Sequence, residues 1–274
     1  MNLKIDKETF DGIIYAAAGY SDNVYTAMLP EIHNSEAALD KILYEKGRQA
    51  VEGNEALLIS CREHVCTTAF LNRLRHFDLV LTDAGFGVVS NDHTAPASRE
   101  RVNALEAQLK RKREESYCNI LRELIKVPEW GNNPLVRRFF PTLLWDIFEA
   151  EEATGSRDLS AEAWGQLKSK LFDAAFKIEG VTGHDFMEEL IVASITDSVT
   201  DVRSEAISRV KNTMVMIVNH PEDKRLAGET VRRLLEWLES TKESFPSYTN
   251  SKEYAARNAE RYENKQESPV YFFG

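Results

Sequence analysis

Cysteine is scarce in this chain, because its 274 residues include only three, at positions 61, 66 and 118. A small, odd number of cysteines does not make a disulfide framework, so we expect a protein of a reducing compartment. No run of about 18 apolar residues occurs, which predicts that nothing spans a membrane. The N-terminal sequence MNLKIDKETFDG has acidic residues where a signal peptide would have an apolar core.

Basic residues are outnumbered, with 34 Lys and Arg against 44 Asp and Glu, a net charge of −10. Broad binding of nucleic acid requires a basic face, so the composition disfavours that class, although a local basic patch is still compatible with it. The sequence also lacks G-x-S-x-G, P-loop, G-x-G-x-x-G and H-E-x-x-H motifs. These absences disfavour common hydrolases and nucleotide-binding proteins without excluding every enzyme.

Apolar residues recur mostly at helical spacing, and at 43% of the chain they suffice for a core. Pro30 and Gly53-Asn54 are expected to interrupt helices. Ser160 is expected to cap a helix that ends at Gly180, and Thr182 with Asp185 resembles a capping box. We therefore predict a mainly α fold, a multi-helix bundle with helices over 35–53, 55–74, 98–126 and 160–180, and three shorter amphipathic helices after residue 182.

One segment departs from helical spacing. Alternate side chains in residues 77–82 are apolar, which is the period of two of a β-strand. Asp83-Ala84-Gly85 has residue types that favour a turn, and residues 86–89 are predicted to form the return strand. The pattern predicts one small β-hairpin at 77–90. A lone hairpin is marginal in water, so we expect it to lie on helices or on another subunit. The candidate interface at its tip is Asp83, Ala84, Gly85 and Phe86.

Three parts are predicted along the chain. A segment rich in Pro, Gly and Asn, from Pro128 to Pro141, is typical of a boundary. We expect a helical half with the hairpin at 1–128, a second helical half at 129–244, and an extended C-terminal tail at 245–274. The tail ends in PVYFFG, and aromatics gain nothing from exposure. Tyr271, Phe272 and Phe273 are expected either to dock on their own chain or oligomer, or to form a hook for another protein.

Clusters that could carry chemistry are few. Cys61, His64 and Cys66 form the one cysteine–histidine group, but Cys66 points away from the other two on a helix, so we predict no metal and no cofactor. The carboxylates at 149–152 and 188–189 read as an acidic surface in preference to a divalent-ion site. The basic run at 110–113 reads as the solvated middle of a helix, with a contact to DNA or to an acidic partner as the alternative. Arg137-Arg138 reads as an anchored loop.

Three stretches carry a resemblance: LVLTDAGFGVVSND followed by PASRERV, AWGQLKSKLFDAA, and FPSYTNSKEYAARNAERYENKQESPVYFFG. With these, the chain resembles uncharacterised proteins of Bacteroides-type phages and prophages, which are similar to head–tail connector, or adaptor, proteins of tailed phages. The resemblance implies a non-enzymatic structural protein, a helical bundle with a β-hairpin that assembles as a ring. This chain is larger than a typical connector, and no catalytic residue carries over.

The resemblance further implies a homo-oligomeric ring that contacts the portal and tail or neck proteins. DNA would pass through its lumen without sequence-specific binding, and the protein would be found in the virion, and in the bacterial cytoplasm during assembly. An acidic wall suits such a pore, because it reduces sticking of DNA. The alternatives are a non-enzymatic helical protein-binding module of phage or bacterial host, and an enzyme of unrecognised type.

Overall fold

The structure, a computed structural model, describes residues 3–15, 22–77, 80–82, 85–87, 98–196 and 199–259. Helices dominate these residues, so the predicted mainly α class is confirmed. The α-helices are α1 (Lys7–Ile13), α2 (Asp22–Gly53), α3 (Glu55–Arg73), α4 (Arg99–Ile125), α5 (Pro128–Gly131), α6 (Ile147–Thr154), α7 (Ala161–Thr182), α8 (His184–Ile195), α9 (Asp201–Asn219), α10 (Lys224–Ser240), α11 (Pro246–Thr249) and α12 (Lys252–Arg257). Within these residues, no helix is both long and apolar enough to cross a bilayer.

The N-terminal part is built around α3, which packs against α2 on one side and α4 on the other. Its cap is Asn54, whose side chain accepts a hydrogen bond from the Leu57 backbone N–H at 3.0 Å. Ser98 caps α4 in the same way through the Arg101 N–H. The predicted helices 55–74 and 98–126 are therefore confirmed to within one residue, because local capping chemistry sets their ends.

The start of α2 was predicted wrongly. The helix begins at Asp22 and continues through Pro30, where the sequence suggested a break. A proline inside a helix costs about 3 kcal/mol, but Met28 and Ile32 on either side of it are buried, and burial of such side chains offsets that cost. The helical geometry is instead interrupted at Tyr44, whose φ is 52°.

The segment between α4 and α6 is a packed connector. Trp130 is buried, and its indole Nε1–H donates a hydrogen bond to the Ile42 carbonyl of α2 at 3.1 Å. The 3₁₀ helix Pro134–Phe139 follows. Arg137 pairs with Glu188 of α8 at 2.8 Å, so the segment is anchored at Arg137. The division of the chain near this segment into two halves stays a prediction.

The C-terminal part centres on α9, which packs against α7 and α10. Helices α11 and α12 lie over α8 and α7, where Phe245 and Tyr248 are buried against Phe186, with ring centroids 5.4 and 5.9 Å away. The expectation of an extended tail from residue 245 is therefore wrong as far as Arg257. Two buried aromatic rings fix the chain as short helices there.

The end of α7 also differs from the prediction. The helix passes Gly180 and ends at Thr182. The Thr182 hydroxyl donates a hydrogen bond to the Ile178 carbonyl at 2.9 Å, so it does not cap α8. Gly183, with φ +96° and ψ 149°, separates the two helices in a conformation open essentially to glycine alone.

Candidate functional site

Two short strands lie between α3 and α4. β1 (Val80–Thr82) pairs antiparallel with β2 (Gly85–Gly87), with Leu81 opposite Phe86 and Thr82 opposite Gly85. Gly85 and Phe86 of the candidate interface are thus backbone members of β2. The remaining predicted interface residues lie outside the described part of the chain: Asp83, Ala84, Tyr271, Phe272 and Phe273.

The base of this strand pair is fixed to the helices. Phe77 stacks on Phe70 of α3, with ring centroids 5.8 Å apart and planes 28° apart. Arg75, in the 3₁₀ turn Leu74–His76, pairs with Glu106 of α4 and donates a hydrogen bond to Asn103 at 2.8 Å. The chain therefore enters β1 from a point that is attached to both α3 and α4.

The charged middle of α4 is solvated only in part, because the Lys110 and Lys112 side chains are each 35% exposed whereas Arg111 is mostly buried. The Arg111 guanidinium binds both carboxylate oxygens of Glu151 at 2.5 and 2.9 Å, and it donates to the Leu159 carbonyl at 2.9 Å and to Glu115 at 2.6 Å. Only 16% of the Arg111 side chain and 12% of the Glu151 side chain are exposed. We call Arg111, Glu115, Glu151 and Leu159 the charged junction. Through it, α4 binds α6 and the loop that follows α6.

The other bases of the run also have acidic partners within the chain. Lys110 contacts Glu162 of α7 at 3.4 Å, and Lys112 contacts Glu63 of α3 at 3.4 Å. These pairs show that acidic side chains of the chain itself contact the run, and the alternative of a contact with DNA or an acidic partner stays a prediction. The i, i+4 spacing of Arg111 and Glu115 could have indicated their ion pair from the sequence. The pairing of Arg111 with Glu151 was not predicted.

Carboxylates in both predicted acidic stretches, 149–152 and 188–189, pair with basic side chains. They therefore do not form an unpaired acidic surface. Glu149 pairs with Lys211 of α9 at 2.5 Å, and Glu188 pairs with Arg137. Glu189 pairs with Arg203 at 2.8 Å and accepts a hydrogen bond from Ser247 of α11 at 2.5 Å. These acids connect separate elements of the fold, so tertiary contacts determine their role.

The three side chains of the cysteine–histidine group, Cys61, His64 and Cys66, lie in different surroundings. Cys61 and Cys66 are buried, and burial raises the pKa of both thiols to about 12. His64 lies against α4, where its Nδ1 is 3.2 Å from the Arg113 carbonyl and 3.3 Å from the Ser116 hydroxyl. Desolvation lowers the pKa of His64 to about 4. In the described part of the chain, no three His, Cys, Asp or Glu side chains are grouped as metal ligands.

The lowered pKa of His64 predicts that the stability of the protein depends on pH. Its pKa falls from 6.5 to about 4 on folding, so the unfolded chain takes up a proton first as the pH drops below 6.5. Between pH 7.5 and 5 this should lower the free energy of unfolding by about 2 kcal/mol. Urea titrations of wild type and His64→Gln should differ in their pH dependence by this amount. Exposed His220→Gln is the control, and an equal pH dependence in all three proteins would contradict the prediction.

A cleft of about 240 Å³ lies where α4, α7 and the connector meet. Lys168 contributes a cation, with its Nζ 5.2 Å above the Trp164 ring and 3.3 Å from Glu114. Arg138 lies 4.9 Å above the Phe139 ring. Both cations of the cleft are therefore held over aromatic rings of this chain. Sequence reasoning did not bring these residues together, because they come from three separate elements.

Together these features describe a mainly helical protein whose charged side chains largely bind one another. Its sequence matches DUF6712, a family of unknown function, over residues 22–139 and 196–258, which is more than half of the chain. The chain therefore belongs to DUF6712. The span between the two matched ranges contains α6, α7 and α8. Comparisons with curated proteins and with solved structures each returned no match.

Proposed function

We propose that this chain is a phage structural protein, a head–tail connector or adaptor that forms a ring in the virion neck. The sequence resemblance described above supports this proposal. So does the order of elements from α3 to α4, in which a long helix pair is joined by a short β-element. Membership of DUF6712 by itself adds no function.

The observation that carries the proposal is the strand pair on its fixed base. We propose that it is the core of a β-hairpin over residues 77–90 whose tip, Asp83 to Gly85, meets a neighbouring subunit or partner. Phe77 on Phe70 and Arg75 on Glu106 hold its base to both helices. Two-stranded elements also have free backbone edges, which favour pairing with another chain.

The proposed binding partners and location follow from the role as a head–tail connector. The neighbours would be the portal and the tail or neck proteins, in the virion and, during assembly, in the bacterial cytoplasm. DNA would cross the lumen without sequence-specific binding. The internal pairing of Lys110, Arg111 and Lys112 would also limit contacts with the DNA backbone, because bases that bind carboxylates of the same chain are less available to phosphates.

We expect the purified chain, alone or mixed with the portal protein of its phage, to form rings of uniform copy number in mass photometry and negative-stain images. Deleting residues 83–85 should abolish ring formation and leave the helical circular dichroism unchanged. Replacing exposed Pro221-Glu222 by Gly-Gly, in the loop between α9 and α10, is the control and should have no effect. Rings that form equally well without residues 83–85 would contradict the role of the tip.

One other result would redirect the proposal. A chain that stays monomeric with and without the portal protein, yet binds some other protein, would favour the alternative of a helical protein-binding module. The cleft with Arg138, Trp164 and Lys168 is the feature that favours this second candidate. Loss of that binding in Lys168→Glu would identify the cleft as the binding surface.

A further inference from the structure

Helix α7 has an apolar surface without a described cover. Ser169, Phe172 and Phe176 lie on one face of it, at spacings of three and four residues. Phe172 is 54% exposed and Phe176 is 67% exposed. The opposite face is buried in the core through Leu171 and Ile178. Two adjacent, exposed phenylalanines form a patch, which we call the α7 aromatic stripe, and such patches are typical of interaction surfaces.

The described chain ends beside this helix. Arg257 of α12 donates a hydrogen bond to the Val181 carbonyl, near the end of α7, at 2.8 Å. The Ser251 side chain lies against Gly183. Arg257, three positions before residue 260, therefore lies at the C-terminal end of α7. Val181 is about 7.5 Å along the helix axis from Phe176, and about 14 Å from Phe172.

We propose that Pro269 to Phe273 of the same chain cover the α7 aromatic stripe. Eleven residues lie between Ala259 and Tyr271, so the two positions can be up to about 40 Å apart, and the tail reaches both phenylalanines with slack. Residues 268–274 have no charged side chain and include three aromatics, which suit aromatic partners on a helix. A segment tethered this closely has an effective concentration in the millimolar range, which favours its own chain over a second copy. The inference does not depend on ring formation.

A disulfide cross-link tests the contact in the full-length protein. We expect Phe172→Cys combined with Phe272→Cys to form an intrachain disulfide on mild oxidation, detected by non-reducing electrophoresis and peptide mass spectrometry. Native Cys61, Cys66 and Cys118 are buried with raised thiol pKa values, so they should not compete. The matched control pairs Phe272→Cys with Ile59→Cys, because Ile59 is 50% exposed and lines a groove between α3 and α4.

Hydrogen exchange gives a second measurement that needs no cysteine. In Phe172→Ala/Phe176→Ala, amide exchange in residues 269–273 should be about tenfold faster than in wild type. Alanine is a strong helix former, so α7 should persist in this variant. An intrachain link at residue 172 together with faster exchange supports the proposal. A link between chains, a link at Ile59 but not at 172, no link at all, or unchanged exchange overturns it.

Discussion

Replacing Arg111 by Met is expected to lower the free energy of unfolding by about 3 kcal/mol, because it leaves the carboxylates of the charged junction without their cation in a poorly hydrated place. Glu151 is only 12% exposed and would keep a single partner, the Leu159 N–H at 2.7 Å. Arg111→Lys should recover only part of the loss, since one ammonium cannot bind Glu115, Glu151 and the Leu159 carbonyl together. Urea unfolding followed by circular dichroism measures the change.

Arg232→Met is the matched control, because Arg232 is also paired with glutamates but is 56% exposed. Exposed pairs contribute about 0–1 kcal/mol, so its loss should be small. A double variant, Arg111→Met with Glu151→Leu, should recover much of the stability, because it removes the unpaired charge as well. Equal losses in Arg111→Met and Arg232→Met would show that the charged junction does not hold α4 to α6.

Gly183→Ala is expected to cost about 3 kcal/mol. The residue has φ +96°, a backbone region that costs other residues about 1–3 kcal/mol. An added Cβ would also lie 2.5 Å from the Ser251 Cβ, a contact too close for two carbon atoms, so α12 would have to move away from α7. Thermal unfolding followed by circular dichroism should show the loss.

Gly180→Ala, three residues earlier, is the control. It lies inside α7 with open space at its Cβ position. Alanine there should stabilise the protein by about 0.5–1 kcal/mol, because glycine is costly inside a helix. If both variants changed stability in the same direction and by the same amount, the assignment of the turn to Gly183 would be wrong.

The sequence was sufficient wherever local chemistry decides the structure. Asn54, Ser98 and Ser160 each accept a hydrogen bond from the first turn of the helix that follows, so the beginnings of α3, α4 and α7 could be read directly. Predictions that a single residue would end a helix were wrong at two positions. Pro30 did not end α2 and Gly180 did not end α7, because packing of the flanking residues outweighs the preference of a single residue.

The same difference between local chemistry and tertiary packing applies to the candidate sites. The base of the strand pair could be placed from the alternation that begins at Phe77, but its attachment through Arg75 and Glu106 could not, since these residues meet only when α3 and α4 pack. Nor could the cleft or the charged junction be predicted as a whole, because each brings together segments that are more than twenty positions apart in the sequence. Spacing along one helix gives i, i+4 pairs and says nothing about partners on other elements.

The sequence by itself thus determined the mainly α class, the ends of α3 and α4, the beginning of α7 and the excess of acidic charge, because each depends on residue type and on neighbours within one or two turns. Only the tertiary structure decided what the charges do. It placed Arg111 on Glu151, Lys211 on Glu149 and Arg203 on Glu189, so that many acids and bases bind one another across helices. It also left Phe172 and Phe176 uncovered on α7 among the described residues, because a helix buries only the face that meets a neighbour.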